Sequence, residues 1–160
     1  MSLGGGSRFG SNAFQSAYND GMLLVAAAGN SGNSNRSWPA SEPSVISVAS
    51  TDANNRRSSF SQFNDQVELA AFGRSSLSTL PGNRYGTKTG TSMASPVVAG
   101  VAGVVWSTYP ECKNFEIRTV LQKTAIPCTG QPSTKNNFCG HGIVQAQAAI
   151  DYIASTPGAW

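Results

Sequence analysis

The stretch that most constrains this chain is Gly90-Thr91-Ser92-Met93-Ala94-Ser95-Pro96, continued by Val97-Val98-Ala99-Gly100-Val101-Ala102-Gly103-Val104-Val105-Trp106. Its second half is apolar and rich in small residues, yet shorter than the roughly 20 apolar residues that span a bilayer. It predicts a buried helix, apolar nearly all round. Ala99, Gly100, Ala102 and Gly103 would let a neighbouring backbone approach closely. Pro110 ends the helix. Pro96 does not break it, because first-turn N–H groups have no partner in any case. Ser92 thus falls at or just before a helix N-terminus, where free N–H groups and the positive dipole end favour negative charge. The local pattern fits a plain N-cap, with Thr91 or Ser92 as the capping residue. The cap is the favoured reading of the local pattern alone; the other is a serine nucleophile whose oxyanion would form at that helix end.

The 160 residues are enough for one domain with its own core. Net charge is only +3 and Arg56-Arg57 is the single adjacent basic pair, so nucleic acid is not an expected partner. No run reads as a membrane span or as a signal peptide. The three cysteines, Cys112, Cys128 and Cys139, lack metal-binding spacing. A bridge between Cys128 and Cys139 would staple the polar loop 129–138, contributing about 3 kcal/mol. That leaves Cys112 odd, and three unpaired thiols would be the alternative in a reducing compartment.

Apolar spacing predicts a helix over residues 7–20, capped by Ser7 or Ser11 and stopped at Gly21. Residues 22–28 are a continuous apolar run, as in a strand buried on both faces of a parallel sheet. Further strands are expected over 44–50 and 67–71. A hairpin of 76–80 and 85–89 turns at Pro81-Gly82-Asn83. An amphipathic helix over 114–123, capped by Asn114, and a last helix through Ala149, Ile150 and Tyr152 complete an α/β pattern. The tail after Ser155 is expected to fray. Asn30 follows the first strand. It reads either as ordinary Asn-Gly turn chemistry or as an amide aimed into the cleft at the strand's C-terminal end, where open α/β sheets bind ligands.

Gly90-Thr91-Ser92-Met93-Ala94-Ser95-Pro96, with Val98-Ala99-Gly100 after it, resembles the nucleophile motif of the subtilisin-like serine peptidases. It differs from the Gly-x-Ser-x-Gly elbow of the α/β-hydrolases, since Ala94 stands at the second glycine. The resemblance implies that Ser92 is the nucleophile. Ala27-Ala28-Gly29-Asn30 resembles the family's oxyanion segment, which implies that Asn30 and the Ser92 N–H are the donors. Met1-Ser2-Leu3-Gly4-Gly5 resembles the end of an internal strand that lines the substrate cleft. Ser2, Leu3, Gly4, Gly5, Ala27, Ala28 and Gly29 are the implied substrate-binding residues. The implied fold is a three-layer α/β subtilisin-like architecture with a mostly parallel central sheet. Residues 1–160 would be the C-terminal part of that catalytic domain, its N-terminal portion lying upstream of Met1. Residues 39–45 and 55–61 look like the proteinase K branch. The implication there is a structural calcium held by the Pro43 and Val45 carbonyls and by Glu68, where the family usually has Asp. No cofactor is implied for the chemistry. Phe72 replaces the proline of the usual Ala-Pro-Gly, Val97 stands where the family commonly has histidine, and residues 140–146 resemble the C-terminal Gly-x-Gly-x-Val-x-Ala segment.

A serine triad also needs a histidine base and an aspartate to hold it. His141 is the chain's single histidine, and the resemblance puts it in a variable slot between structural glycines. Asp20, Asp52, Asp65 and Asp151 lie outside the family's aspartate motif. Subtilisins order the triad Asp, His, Ser, so both partners are expected upstream of Met1. Without its base a subtilisin loses on the order of 10⁶ in kcat, and the 160-residue chain alone is expected to be nearly inactive. The implied parent is a secreted, monomeric serine endopeptidase acting on polypeptides through an acyl-enzyme. The rival expectation is a non-catalytic binding or inhibitory module derived from that fold.

Overall fold

A computed structural model of the chain describes residues 1–156 and 158. Pro157, Ala159 and Trp160, on which most of the expected fraying falls, lie outside the described residues. Three parallel strands, β1 (Leu24–Ala27), β2 (Val45–Thr51) and β3 (Val67–Phe72), form a sheet in the order β1-β2-β3. Alternation along these strands sorts their side chains to two faces. Val25, Ile46, Val48, Leu69 and Ala71 point into one core cluster. Ala26 and Val45 point the other way, as do Ala49 and Ala70; Val67 joins them, although two residues from Leu69, because the β2–β3 register shifts between Ser47 and Val48. Both faces are covered, so β2 is buried at every position.

On the first face lies α2 (Thr91–Thr108), with α3 (Asn114–Lys123) and α4 (Ala146–Ser155) beside it. Ala94, Val98, Ala102 and Val105 of α2 recur at helical spacing and fill the core with Ile117, Val120 and Leu121 of α3 and Ala149 and Ile153 of α4. On the second face, Phe14 of α1 (Ser11–Asn19) packs on Ala26, Ala40 and Val45. The loop closed by a Cys128–Cys139 disulfide packs there too, against Ala49, Val67 and Ala70. Cys112 is buried in the larger core and takes no part in that bridge. The antiparallel hairpin of β4 (Ser76–Leu80) and β5 (Arg84–Lys88) leads into α2.

Several expectations are corrected here. The helix α2 is not buried all round. Its second stripe, with Val97 at 40% and Val104 at 52% exposure, faces away from the sheet, and no described layer of this chain covers it. Only four residues of the run 22–28 are paired as strand. The helix α1 starts late, at a left-handed Gly10 with φ 70°, and no side chain caps it. Ser11 donates to Glu42 instead. Asn114 does not cap α3 either. The Lys113 N–H donates to Glu116 Oε2 at 2.7 Å, while Asn114 Nδ2 donates to the Tyr18 and Met22 carbonyls at 2.8 and 2.9 Å and ties α3 to the α1–β1 turn. Phe72 still permits the turn after β3, with the Gly73 N–H on the Thr51 carbonyl at 3.0 Å.

The first residues run beside β1. The Ala27 N–H donates to the Met1 carbonyl at 3.0 Å, and Gly5 and Trp38 exchange main-chain bonds of 2.9 and 2.8 Å. Next to them Arg8 holds Glu42 through two bonds of 3.1 and 3.0 Å, with Glu42 only 3% exposed. The Arg8 hydrogen bonds, aided by Ser11 and opposed by burial, keep this carboxyl below the ordinary carboxylate range. A lowered folded pKa adds stability above the unfolded value and loses it as pH falls. Urea midpoints measured from about pH 6 to about pH 3 should therefore fall more steeply for the unaltered chain than for Arg8→Met. Parallel curves would contradict this linkage.

Candidate active site

Ser92 is the second residue of α2 and partly accessible. Its Oγ donates to the Ser2 carbonyl at 3.4 Å, and Ser2 Oγ donates to the Ser92 carbonyl at 2.7 Å. The Ser95 hydroxyl donates to the Met1 carbonyl at 3.3 Å. The start of the helix is thereby laced to residues 1–2. Being in the first turn, the Ser92 N–H has no helical carbonyl to bond.

Asn30 reaches this helix start from the end of β1. Its Oδ1 accepts the Thr91 N–H at 2.8 Å and the Thr91 hydroxyl at 2.9 Å. Thr91 Oγ1 in turn accepts the Gly29 N–H at 3.2 Å. The two readings of Asn30 thus share one side chain. Its oxygen caps α2 from another element, and its amide –NH₂ bonds no described residue. Gly29 is required at its position: its φ is +111°, and a Cβ there would sit 1.8 Å from Gln62 Oε1. Gln62 is fixed by its own N–H on the Gly29 carbonyl at 2.9 Å and by Nε2 on the Asn35 carbonyl at 2.6 Å.

These groups open on one cleft of about 400 Å³. Ser2, Leu3, Gly4, Gly5, Ala27, Gly29, Asn30 and Ser92 all line it. Ala28 does not. Strand alternation turns it to the opposite face, 2% exposed, among Ala49, Val67 and Ala70. Sequence reasoning missed Thr91 as the link between Gly29 and Asn30, and missed Asn35, Arg36, Ser37 and Gln62 as lining residues. Only Thr91 carried a signal, as a member of the motif around Ser92. The others sit in polar loops without periodicity.

The remaining candidates lie elsewhere. His141 lines no part of the cleft, and its N–H donates to the Glu68 carbonyl at 2.8 Å. Burial, with Lys135 nearby, holds its imidazole below the usual histidine pKa. The expected calcium ligands do not form an open oxygen cage. Arg118 grips the Glu68 carboxylate, its Nη1 donates to the Pro43 carbonyl at 3.0 Å, and Val45 is buried at the start of β2. Among the described residues no group of three or more His, Cys, Asp or Glu is placed to hold a metal. No described helix is long and apolar enough to cross a membrane.

The Subtilase family model, peptidase S8, matches residues 1–142. The chain belongs to the subtilase family. Among curated subtilases it is 44% identical over 137 residues to M-protease of Shouchella clausii, covering 86% of this chain and 35% of that protein. Identity to subtilisin BL of Lederbergia lenta is also 44% over 137 residues, covering 86% and 49%. Among solved subtilase structures, Apa1 of Pseudoalteromonas sp. AS-11 superposes with a TM-score of 0.90 at 23% identity, covering 98% of this chain and 70% of that one. A protease of Pseudoalteromonas arctica gives a TM-score of 0.86 at 32% identity, covering 95% and 50%. The subtilisin-like α/β fold follows from these superpositions, and the chain spans half or less of those two curated subtilases.

The Gly29–Gln62 contact is open to test. Gly29→Ala should lower stability by about 1–3 kcal/mol in urea unfolding. Adding Gln62→Ala should return part of this, because the clash goes and the positive φ stays. Complete rescue would show that φ is not under strain.

Proposed function

We propose that this chain is the nucleophile-bearing part of a subtilisin-like serine endopeptidase that cleaves polypeptides through an acyl-enzyme. The observation that carries the reading is the shared cleft of Ser92 and Asn30, with the Asn30 amide –NH₂ unbonded to any described residue. In the proposed reaction Ser92 Oγ attacks the peptide carbonyl. The Ser92 N–H and Asn30 Nδ2 then donate to the developing oxyanion at the positive end of α2. Ser2, Leu3, Gly4 and Gly5 form one wall for the substrate, and Ala27 and Gly29 the other.

The base is proposed to come from outside these 160 residues. Ser92 Oγ bonds a carbonyl and His141 belongs to another part of the molecule. A histidine and an aspartate in further sequence of the parent would complete the triad. The same further sequence is proposed to cover the exposed Val97–Val104 stripe of α2 and the edge formed by residues 1–5. The disulfide suits an oxidising, extracellular setting, and a monomeric parent without nucleic-acid or membrane partners is the simplest form. The second reading, a non-catalytic binding or inhibitory module, is favoured by one observation: no imidazole of the described residues reaches Ser92.

Rates of peptide hydrolysis decide between them. In the longer reading frame Ser92→Ala should abolish cleavage. Asn30→Ala should lower kcat by about 10²–10³, an expectation taken from the matching substitution in a subtilisin. The chain alone should stay near background, about 10⁶ below the complete enzyme. Cleavage that survives Ser92→Ala contradicts the assignment, and a longer frame that is equally inert supports the module.

A further inference from the structure

We infer that the guanidinium of Arg118 is a built-in cation in the place where the family resemblance implies calcium, so that this region is held together without the metal. Glu68 is 5% exposed, and a buried carboxylate must be paired. The donors to its carboxylate come from one face of α3. Arg118 Nε donates to Oε1 at 2.6 Å and Nη2 donates to Oε2, a two-point grip that a planar guanidinium makes well. One turn later Gln122 Nε2 donates to Oε1 at 2.8 Å.

The third nitrogen of the same guanidinium, Nη1, donates to the Pro43 carbonyl at 3.0 Å. Two of the three expected calcium ligands are therefore bound by one positively charged side chain. Calcium needs six to eight oxygen donors at about 2.3–2.6 Å. Here the oxygens instead meet N–H donors at hydrogen-bond distance. The extra methylene of Glu68 over the usual Asp carries the carboxylate towards α3, where Arg118 and Gln122 wait four residues apart. The Tyr18 ring lies 5.6 Å from the guanidinium carbon and closes the site from the α1 side. Burial opposes the charge on Arg118, but the hydrogen bonds and attraction of Glu68 outweigh it and keep its pKa above the ordinary value. The cation thus joins α3 to β3 and to the loop before β2, whereas calcium on the expected ligands would bridge only β3 and the segment 43–45.

The test measures calcium uptake by titration calorimetry and the thermal midpoint in EDTA and in millimolar calcium, on the unaltered chain and its variants. The unaltered chain should show the same midpoint in both and no uptake that depends on Glu68. Arg118→Ser exposes the carboxylate and the Pro43 carbonyl. It should melt lower in EDTA, recover in calcium, and bind calcium at least about tenfold more tightly than the unaltered chain. Arg118→Lys keeps a cation and should stay indifferent to calcium. Uptake by the unaltered chain that disappears in Glu68→Gln would overturn the proposal, as would a folded Arg118→Ser that gains no calcium affinity. If Arg118→Ser fails to fold with or without calcium, the unaltered chain decides. A midpoint indifferent to calcium upholds the built-in cation, and Glu68-dependent uptake rejects it.

Discussion

The pair of hydrogen bonds from Thr91 to Asn30 Oδ1 closes the gap between the end of β1 and the start of α2. The turn at Gly29 and the donors at the helix start follow from it, while residues 1–2 are laced to the helix by bonds of their own. The helix begins where its first N–H finds an acceptor, so Ser92 stands in the first turn with its own N–H unspent. The amide oxygen of Asn30 is used up, which turns its –NH₂ to the open side. Thr91 Oγ1 receives the Gly29 N–H, and the left-handed Gly29 passes over Gln62 with no room for a Cβ. A helix cap, a tight turn and a pair of unspent donors are one arrangement, not three.

Behind the cleft, the sheet supplies rigidity by burying both faces. Ile46, Val48 and Leu69 lock into α2, α3 and α4, while Val45 and Ala49 lock into α1 and the disulfide loop. Against the opposite stripe of α2, where Val97 and Val104 are exposed, this chain offers no described layer. The exposed valines mark a face of an otherwise well-packed helix that the described residues leave open, and the chain spans only part of the length of the curated subtilases it matches. At the far end, the two buried carboxylates Glu42 and Glu68 are each neutralised by an arginine, and both arginines act close to the loop 42–45.

Much of this was legible in the residues themselves. The continuous apolar run 22–28 marked β1, β-branched enrichment marked β2, and the spacing of Phe115, Ile117, Val120 and Leu121 marked α3. The seven-residue motif around Ser92 pointed to the family and, through it, to Asn30 and to residues 2–5. What was not legible has a common physical origin. Arg118 and Gln122 read as the polar face of an amphipathic helix, because nothing in their spacing shows a buried carboxylate across the fold. Asn114 read as a cap because its long-range partners are carbonyls, which leave no trace in sequence. Ala28 read as cleft because one-residue alternation decides its face. The α2 run read as buried all round because composition reports a residue's preference and not which neighbours are present.

The most direct measurement of the central interaction is amide hydrogen exchange at Thr91, followed by NMR in the unaltered chain and in Asn30→Leu. First-turn amides exchange quickly unless something accepts them. The Asn30 cap predicts a Thr91 N–H that is protected in the unaltered chain and exchanges at least about tenfold faster in Asn30→Leu, with amides of Val98 and Ala102 unchanged. Fast Thr91 exchange in the unaltered chain, or equal rates in both, would mean that Asn30 does not hold the helix start and that the cleft is organised by something else.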